Sequence, residues 1–193
     1  MKKSELRKKY LELRKTLSKD EVLLSSEKIF KNFNLQFNVS ENQNVHVFLP
    51  IEKFNEVDTN IFIDFFWNKN VNVFIPKMKQ GKMISIKYTP ETLLEENSWG
   101  ILEPIANHNE IDHFDIVITP VLYCDAKGNR IGYGKGFYDQ FFTTINKDAL
   151  KIGVSVFSPE EIIDDVFDSD VALDYLVTPI NVLSFGFTSI STK

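Results

Sequence analysis

Apolar positions change period along the 193 residues, and the changes mark out the elements. Leu6, Tyr10, Leu13 and Leu17 recur at spacings of four, three and four, which predicts one stripe of an amphipathic helix. Ser18-Lys-Asp-Glu21 follows as a capping box, in which side chain and backbone satisfy each other's exposed donors. Val22, Ser26, Ile29, Phe30 and Phe33 then predict the inner face of a second helix. The polar run Ser40–Asn44 closes this helical pair. Beyond it the apolar runs become short and β-branched: Val45–Leu49, Val71–Ile75, Asp115–Thr119, Lys151–Val156 and Tyr175–Thr178 predict buried strands. Gln80-Gly81 predicts a hairpin turn and so an antiparallel strand. Helical spacing returns at Ile61, Phe62, Phe65 and Phe66 and at Phe137, Tyr138, Phe141 and Phe142. Pro90, at a first helical position, predicts a short helix through Leu94.

Strands alternating with helices predict an α/β fold, a three-layer α/β/α sandwich around a mostly parallel sheet. The chain reads as one domain over 1–193, with residues 1–35 a helical pair packed on it. A Ser/Thr/Gly-rich tail after about residue 185 is expected to fray. Parallel sheets bind ligands beyond the carboxyl ends of their strands, so chemistry is sought after Leu49, Thr119 and Val156.

Composition narrows the classes. The 22 Lys+Arg and 27 Asp+Glu give a net charge of −5, unlike the strongly basic balance of a nucleic-acid binder. Cys124 is the only cysteine, which leaves no disulfide framework and no cysteine zinc site, and His46, His108 and His113 lack zinc-ligand spacing. No apolar run reaches membrane-spanning length, and the basic start is followed at once by Glu12, Arg14 and Lys15 rather than by an apolar leader core. A soluble, cytoplasmic monomer with no membrane or nucleic-acid partner is expected. The modest total conceals segregation. Residues 2–15 hold seven cations and two anions, and residues 160–174 hold seven anions and no cation. The blander reading of both runs is a solvated face.

The most informative stretch is Asp125-Ala-Lys-Gly-Asn-Arg-Ile-Gly-Tyr-Gly-Lys-Gly-Phe-Tyr-Asp139, between a predicted strand and a predicted helix. Gly132, Gly134 and Gly136 let backbone amides approach an anion, and Arg130 and Lys135 add charge. It is not a Walker A loop, which needs glycine at 129 and Ser/Thr at 136, and not a dinucleotide fingerprint, which needs glycine at 137. Asp139, a turn into the helix, is placed to hold Mg²⁺ against phosphates. Lys3 and Arg7 share a helix face and can reach one phosphate together. After the first strand, Asp58 or Thr59 reads as a helix N-cap, which leaves Glu56 free for a substrate N–H group. Trp99, before a glycine, suits either stacking on a flat ring or a core position.

These pieces together resemble the 5-formyltetrahydrofolate cyclo-ligase (methenyltetrahydrofolate synthetase) family over roughly residues 2–178. The resemblance rests on Lys3-x-x-x-Arg7, Asn55-Glu-Val-Asp-Thr59, Trp99-Gly-Ile-Leu-Glu-Pro104 and, most specifically, Gly128–Asp139. It implies a fold similar to the sugar-phosphate isomerases and CoA transferases. It also implies ATP- and Mg²⁺-dependent conversion of 5-formyltetrahydrofolate to 5,10-methenyltetrahydrofolate, with release of ADP and phosphate. By the same resemblance, ATP would meet Lys3, Arg7, Arg130, Ile131, Gly132, Tyr133, Gly134, Lys135, Gly136, Phe137 and Tyr138. Folate would meet Ile51, Glu56, Trp99 and the loop from Tyr133 to Phe137. Lys135, Arg130 and Tyr138 would serve catalysis, and Asp139 and Asp170 would hold the metal, with Asp168 and Asp174 as neighbouring alternatives.

Two departures stand out. Phe137 replaces a tyrosine common in the family, and Tyr133 replaces an arginine found in some members. Two other readings compete: a regulatory nucleotide-binding module without turnover, and an isomerase or transferase acting on a phosphorylated sugar. Glu56, Trp99, Lys135 and Asp139 together favour the folate enzyme, since a pure phosphate binder needs no ring pocket.

Overall fold

The computed structural model describes residues 1–98, 100–106 and 110–186. Its helices are α1 (Lys3–Lys15), α2 (Lys19–Gln36), α3 (Asn60–Asn68) and α4 (Phe137–Phe142). Its strands are β1 (Asn44–His46), β2 (Asn72–Lys79), β3 (Lys82–Lys87), β4 (Leu94–Glu96), β5 (Leu102–Pro104), β6 (Ile116–Pro120), β7 (Tyr123–Cys124), β8 (Arg130–Ile131), β9 (Leu150–Val154), β10 (Tyr175–Val177) and β11 (Val182–Ser184). Seven strands form the central sheet in the order β11-β10-β9-β6-β1-β2-β3. The inner five run parallel, and antiparallel β3 and β11 close the two edges.

Strand alternation distributes the core between two faces. Ile116 and Ile118 of β6, Val45 of β1 and Val73 and Ile75 of β2 pack under α2 and α3, where Ile29, Phe33, Phe62, Ile63 and Phe66 complete a large cluster. Val117 and Phe74 point the other way, to Phe114, Phe141, Phe142 and Ile145 beside α4. The predicted three-layer sandwich is therefore present. Its second helical layer is thin, since α4 has only six residues.

The local signals behave as their chemistry requires. Ser18 caps α2 by accepting the Glu21 amide while the Glu21 carboxylate accepts the Ser18 amide, at 3.2 and 2.8 Å. The β2–β3 hairpin turns at Gln80 and Gly81, both with positive φ (52° and 77°), as a tight turn matched to strand twist demands. Three expectations need correction. Residues 90–94 form no helix; Leu94 instead begins β4, paired with β5, because a small ladder there satisfies the backbone that four residues of helix cannot. On α1, Leu13 is exposed and Arg14 buried, so the stripe runs Leu6, Tyr10, Arg14. Thr59 is the N-cap of α3, one of the two expected alternatives, but its hydroxyl donates to the Phe48 carbonyl at 2.5 Å and the Asp58 carboxylate accepts the Asn60 amide at 3.0 Å. The first strand ends at His46; the Val47 amide still donates to the Phe74 carbonyl at 2.9 Å, and Val47–Leu49 continue buried. The tail expected to fray lies, from residue 187, outside the described residues.

Helix α1 lies across the carboxyl ends of the parallel strands rather than on either face of the sheet. Leu6 and Tyr10 pack on Leu122, Tyr123 and Ile131, which follow β6. The Tyr10 and Tyr123 rings stack at 4.1 Å and 17°. Such a pair contributes about 0.5–1.5 kcal/mol beyond its burial. The N-terminal helix is thereby fixed where a parallel sheet presents its ligands.

Candidate active site

The glycine-rich segment is less of a free loop than its composition suggests. Its first half is a hairpin, β7–β8, whose turn is organised by buried Asp125. One oxygen of that carboxylate accepts the Lys127 and Asn129 amides at 2.9 and 3.0 Å, and the other accepts the Asn129 side-chain amide at 2.9 Å. Ile131 is 1% exposed among Leu6, Tyr10, Leu122 and Tyr123, so its side chain packs against the core and does not line the site. Only Gly132–Gly136 is open backbone. Because α4 is a single short helix, its dipole is small, and the positive character of this region comes from side chains.

Those side chains come from α1. The Arg7 Nε donates to the Gly132 carbonyl at 2.9 Å. A Cβ on Gly134, which has φ +85°, would meet the Arg7 guanidinium carbon at 3.0 Å. Glycine is needed there both for its backbone angle and for that close approach. Lys135 is exposed on the same loop. Lys3 sits at the far end of the row. Its ammonium pairs with Asp170 and lies 4.9 Å above the Phe167 ring, and its amide donates to Asp165 at 2.5 Å.

The acidic run thus meets the basic helix, and neither is simply a solvated face. Glu161 pairs with Lys9, Asp164 with the N-terminal ammonium at 2.7 Å, and Asp170 with Lys3. Asp174 turns away to Lys151 at 3.3 Å. These pairs keep some solvent exposure and are individually weak. Their consequence is geometric: they hold the 160–170 segment against the start of α1.

Arg130 and Asp139, both singled out for chemistry, form a 2.7 Å ion pair with only 7% of the arginine side chain exposed. Arg130 also donates to the Val171 carbonyl and lies over the Phe142 ring at 5.0 Å. Asp139 also accepts the Val171 amide at 3.0 Å. This knot ties α4 to the acidic segment. The Arg130 guanidinium feels the charges of both Asp139 and Asp170, and Asp170 itself pairs with Lys3. Among the described residues no three His, Cys, Asp or Glu side chains gather into a cation cage.

Tyr138 reaches inward. Its hydroxyl lies 3.2 Å from Nε2 of His46, whose Nδ1 lies 2.7 Å from the Ser85 hydroxyl. Burial pushes the His46 pKa down to about 3, so the imidazole is neutral, and burial pushes the Tyr138 phenol up, so it keeps its proton. His46 is a residue that strand pattern alone left as a core position.

Glu56 is placed by the turn after β1 and is not free, contrary to the reading from sequence. One carboxylate oxygen accepts the Ile51 amide at 2.8 Å, and the other accepts the Tyr133 hydroxyl at 2.5 Å. The cause is the left-handed Asn55 (φ 49°), which turns Glu56 inward to 5% exposure. Burial raises the Glu56 pKa, opposed by Tyr133, by Arg14 and by the Ile51 amide. Two of the roughly four acceptor sites of a carboxylate are used, which leaves capacity for N–H donors. Phe54 packs on the Tyr133 ring at 5.2 Å, which walls this corner. Arg14 belongs here too and was missed as a site residue. Its i+4 spacing from Tyr10 was the available signal. Trp99 lies outside the described residues.

Comparison with known proteins supplies the context. Residues 1–179 match the 5-formyltetrahydrofolate cyclo-ligase family. A Haemophilus influenzae 5-formyltetrahydrofolate cyclo-ligase is 33% identical over 107 residues, 52% of this chain and 57% of that enzyme, so the matched stretch spans little more than half of its length. The Mycoplasma genitalium 5-formyltetrahydrofolate cyclo-ligase is 31% identical over 134 residues, 68% of this chain and 70% of that protein. The Aquifex aeolicus 5,10-methenyltetrahydrofolate synthetase superimposes with a TM-score of 0.84 at 28% identity, covering 100% of this chain and 97% of its own.

Proposed function

Because the chain belongs to the 5-formyltetrahydrofolate cyclo-ligase family, we propose that it closes 5-formyltetrahydrofolate to 5,10-methenyltetrahydrofolate at the expense of ATP. The observation that carries this reading is the direct connection of two unlike half-sites. Arg7 from α1 meets the open glycine backbone, which suits a polyphosphate, and Tyr133 in that backbone is bonded to the buried carboxylate of Glu56, which suits a ring with N–H donors. A regulatory phosphate binder or a sugar-phosphate isomerase has no use for the second half.

The chemistry needs this pairing. The formyl group on N5 is an amide, whose oxygen is a poor leaving group and whose carbon resists the N10 amine. Transfer of the γ-phosphoryl group to the formyl oxygen releases ADP and leaves an electrophilic carbon. N10 attacks that carbon in a five-membered closure and loses its proton, and the C–O bond breaks to release phosphate. Phosphoryl transfer calls for alignment and charge neutralisation more than for an enzyme nucleophile. In this reading Lys3, Arg7 and Lys135 neutralise the phosphates, the amides of Gly132–Gly136 orient them, and Glu56 with Ile51 and Trp99 holds the ring. Arg130 supports the site through Asp139, and Tyr138 braces the loop through His46.

Asp139 and Asp170 are the carboxylates that would hold a magnesium ion accompanying ATP, and each would exchange its present cation, Arg130 and Lys3, for the metal. Mg²⁺ prefers one or two carboxylates plus phosphate oxygens to an all-protein cage, and no such cage is present among the described residues. Bound there, the ion would offset negative charge on the phosphates. Among the described residues no helix is long and apolar enough to cross a membrane.

The test is direct. Purified protein with 5-formyltetrahydrofolate, ATP and Mg²⁺ is expected to generate the absorbance of the methenyl product, and omission of any one of the three is expected to abolish it. No product under any of these conditions would overturn the reading.

A further inference from the structure

Arg14 is the residue that neither the motifs nor the proposed chemistry employs, yet its placement is unusual. It is 4% exposed at the end of a helix whose Lys8, Lys9 and Lys15 are exposed. Its Nη2 donates to the Tyr133 hydroxyl, its guanidinium carbon lies 5.6 Å from the Tyr133 ring centre, and its Nε is buried without a partner among the described residues. The Tyr133 hydroxyl, having accepted from Arg14, donates to Glu56 at 2.5 Å. The helix end is also latched to the turn that delivers Glu56. The Asn55 side-chain amide donates to the Arg14 and Leu17 carbonyls at 3.0 and 2.9 Å.

We propose that Arg14 is a positioning residue for ring recognition: acting through the Tyr133 hydroxyl, it keeps the Glu56 carboxylate charged and fixed as an acceptor for substrate N–H groups. This rests on the reading above, in which Glu56 faces the folate ring. The need follows from burial. An isolated carboxyl group in this position favours its neutral form, and a neutral acid presents an O–H donor where the ring requires acceptors. Four groups face Glu56: Tyr133 from the glycine loop, Tyr138 at the start of α4, the Ile51 amide from the strand-end turn and Arg14 from α1. Of these, Arg14 alone brings positive charge. The Tyr133 phenol is itself pushed up by burial and by Glu56, so it stays protonated and donates in one direction only. Every hydrogen bond in the chain therefore runs from the arginine toward the carboxylate, and bonds aligned in this way polarise one another. One helix then serves both halves of the site, Lys3 and Arg7 toward the phosphates and Arg14 toward the ring.

The experiment compares wild type, Arg14→Met, Arg14→Lys and Tyr133→Phe across pH 5–9, reading KM for folate, KM for ATP and the acid limb of kcat/KM. Loss of the partner raises the Glu56 pKa, so ring binding fails at higher pH than before. Arg14→Met is expected to raise the folate KM at neutral pH by about tenfold, to leave the ATP KM within about twofold, and to move the acid limb up by about one pH unit or more. Arg14→Lys, which keeps the charge, should return the limb most of the way. Tyr133→Phe, which breaks the relay without touching α1, should move it in the same direction by less. It also decides the matter if Arg14→Met does not fold. An active wild type with acid limbs unchanged in both Tyr133→Phe and any folded Arg14→Met overturns this proposal and leaves the folate reading standing. A wild type without cyclo-ligase activity overturns both.

Discussion

The face of the sheet under α2 and α3 and the seam between α1 and the glycine loop are built by different means. The first is a dry cluster in which Phe33 touches Phe37, Phe62 and Phe66 at ring separations of 5.1, 5.2 and 6.0 Å, and non-directional burial holds it together. The second joins segments more than a hundred residues apart through single directional contacts: Arg7 to Gly132, Arg14 to Tyr133, Lys3 to Asp170. The difference teaches where rigidity and responsiveness are divided. A close-packed cluster resists displacement everywhere, whereas a seam of single, part-buried polar contacts can exchange protein partners for those of a ligand.

Substitutions on each side should show the division, beginning with the largest effect. Phe33→Ala removes a fully buried ring and is expected to destabilise the protein by about 3–5 kcal/mol, read by urea unfolding, while the folded fraction keeps wild-type turnover per molecule. A matching loss of turnover per folded molecule would mean that the two regions are one. Lys135→Ala does the converse. Turnover should fall on the order of 10²-fold, as loss of a charge contact to a developing transition state does, and the melting temperature should barely move because Lys135 is exposed. Near-normal turnover would take Lys135 out of the phosphate site. The smallest effect belongs to Ser18→Ala at the start of α2. Losing the cap should lower stability by about 1 kcal/mol without altering either KM, which checks that the helices of the core side report on stability alone.

Legibility in the sequence follows the same division. The cap at Ser18, the hairpin at Gln80-Gly81 and the inward positions of α2 and α3 are local or periodic signals, and each appears as expected. Pro90 misled because its preference for a helix start competes with the ladder that residues 94–96 form with 102–104, a pairing invisible in local pattern. The candidate site was legible in its residue types, Lys3, Arg7, Glu56 and the Gly132–Asp139 segment, but not in its wiring. Nothing in spacing says that Arg14 is buried, that Glu56 is already hydrogen-bonded, or that Arg130 is locked to Asp139.

By itself, then, the sequence determined the alternation of strands and helices, the apolar faces they bury and the chemical types available at the carboxyl edge of the sheet, because periodicity and turn chemistry act within a few residues. Tertiary structure alone decided which charge meets which. The basic run of residues 2–15 and the acidic run of residues 160–174 look like two independent solvated surfaces on the chain. The fold makes them partners, because hydrogen bonds and ion pairs depend on distances of a few ångströms that only the packed chain sets.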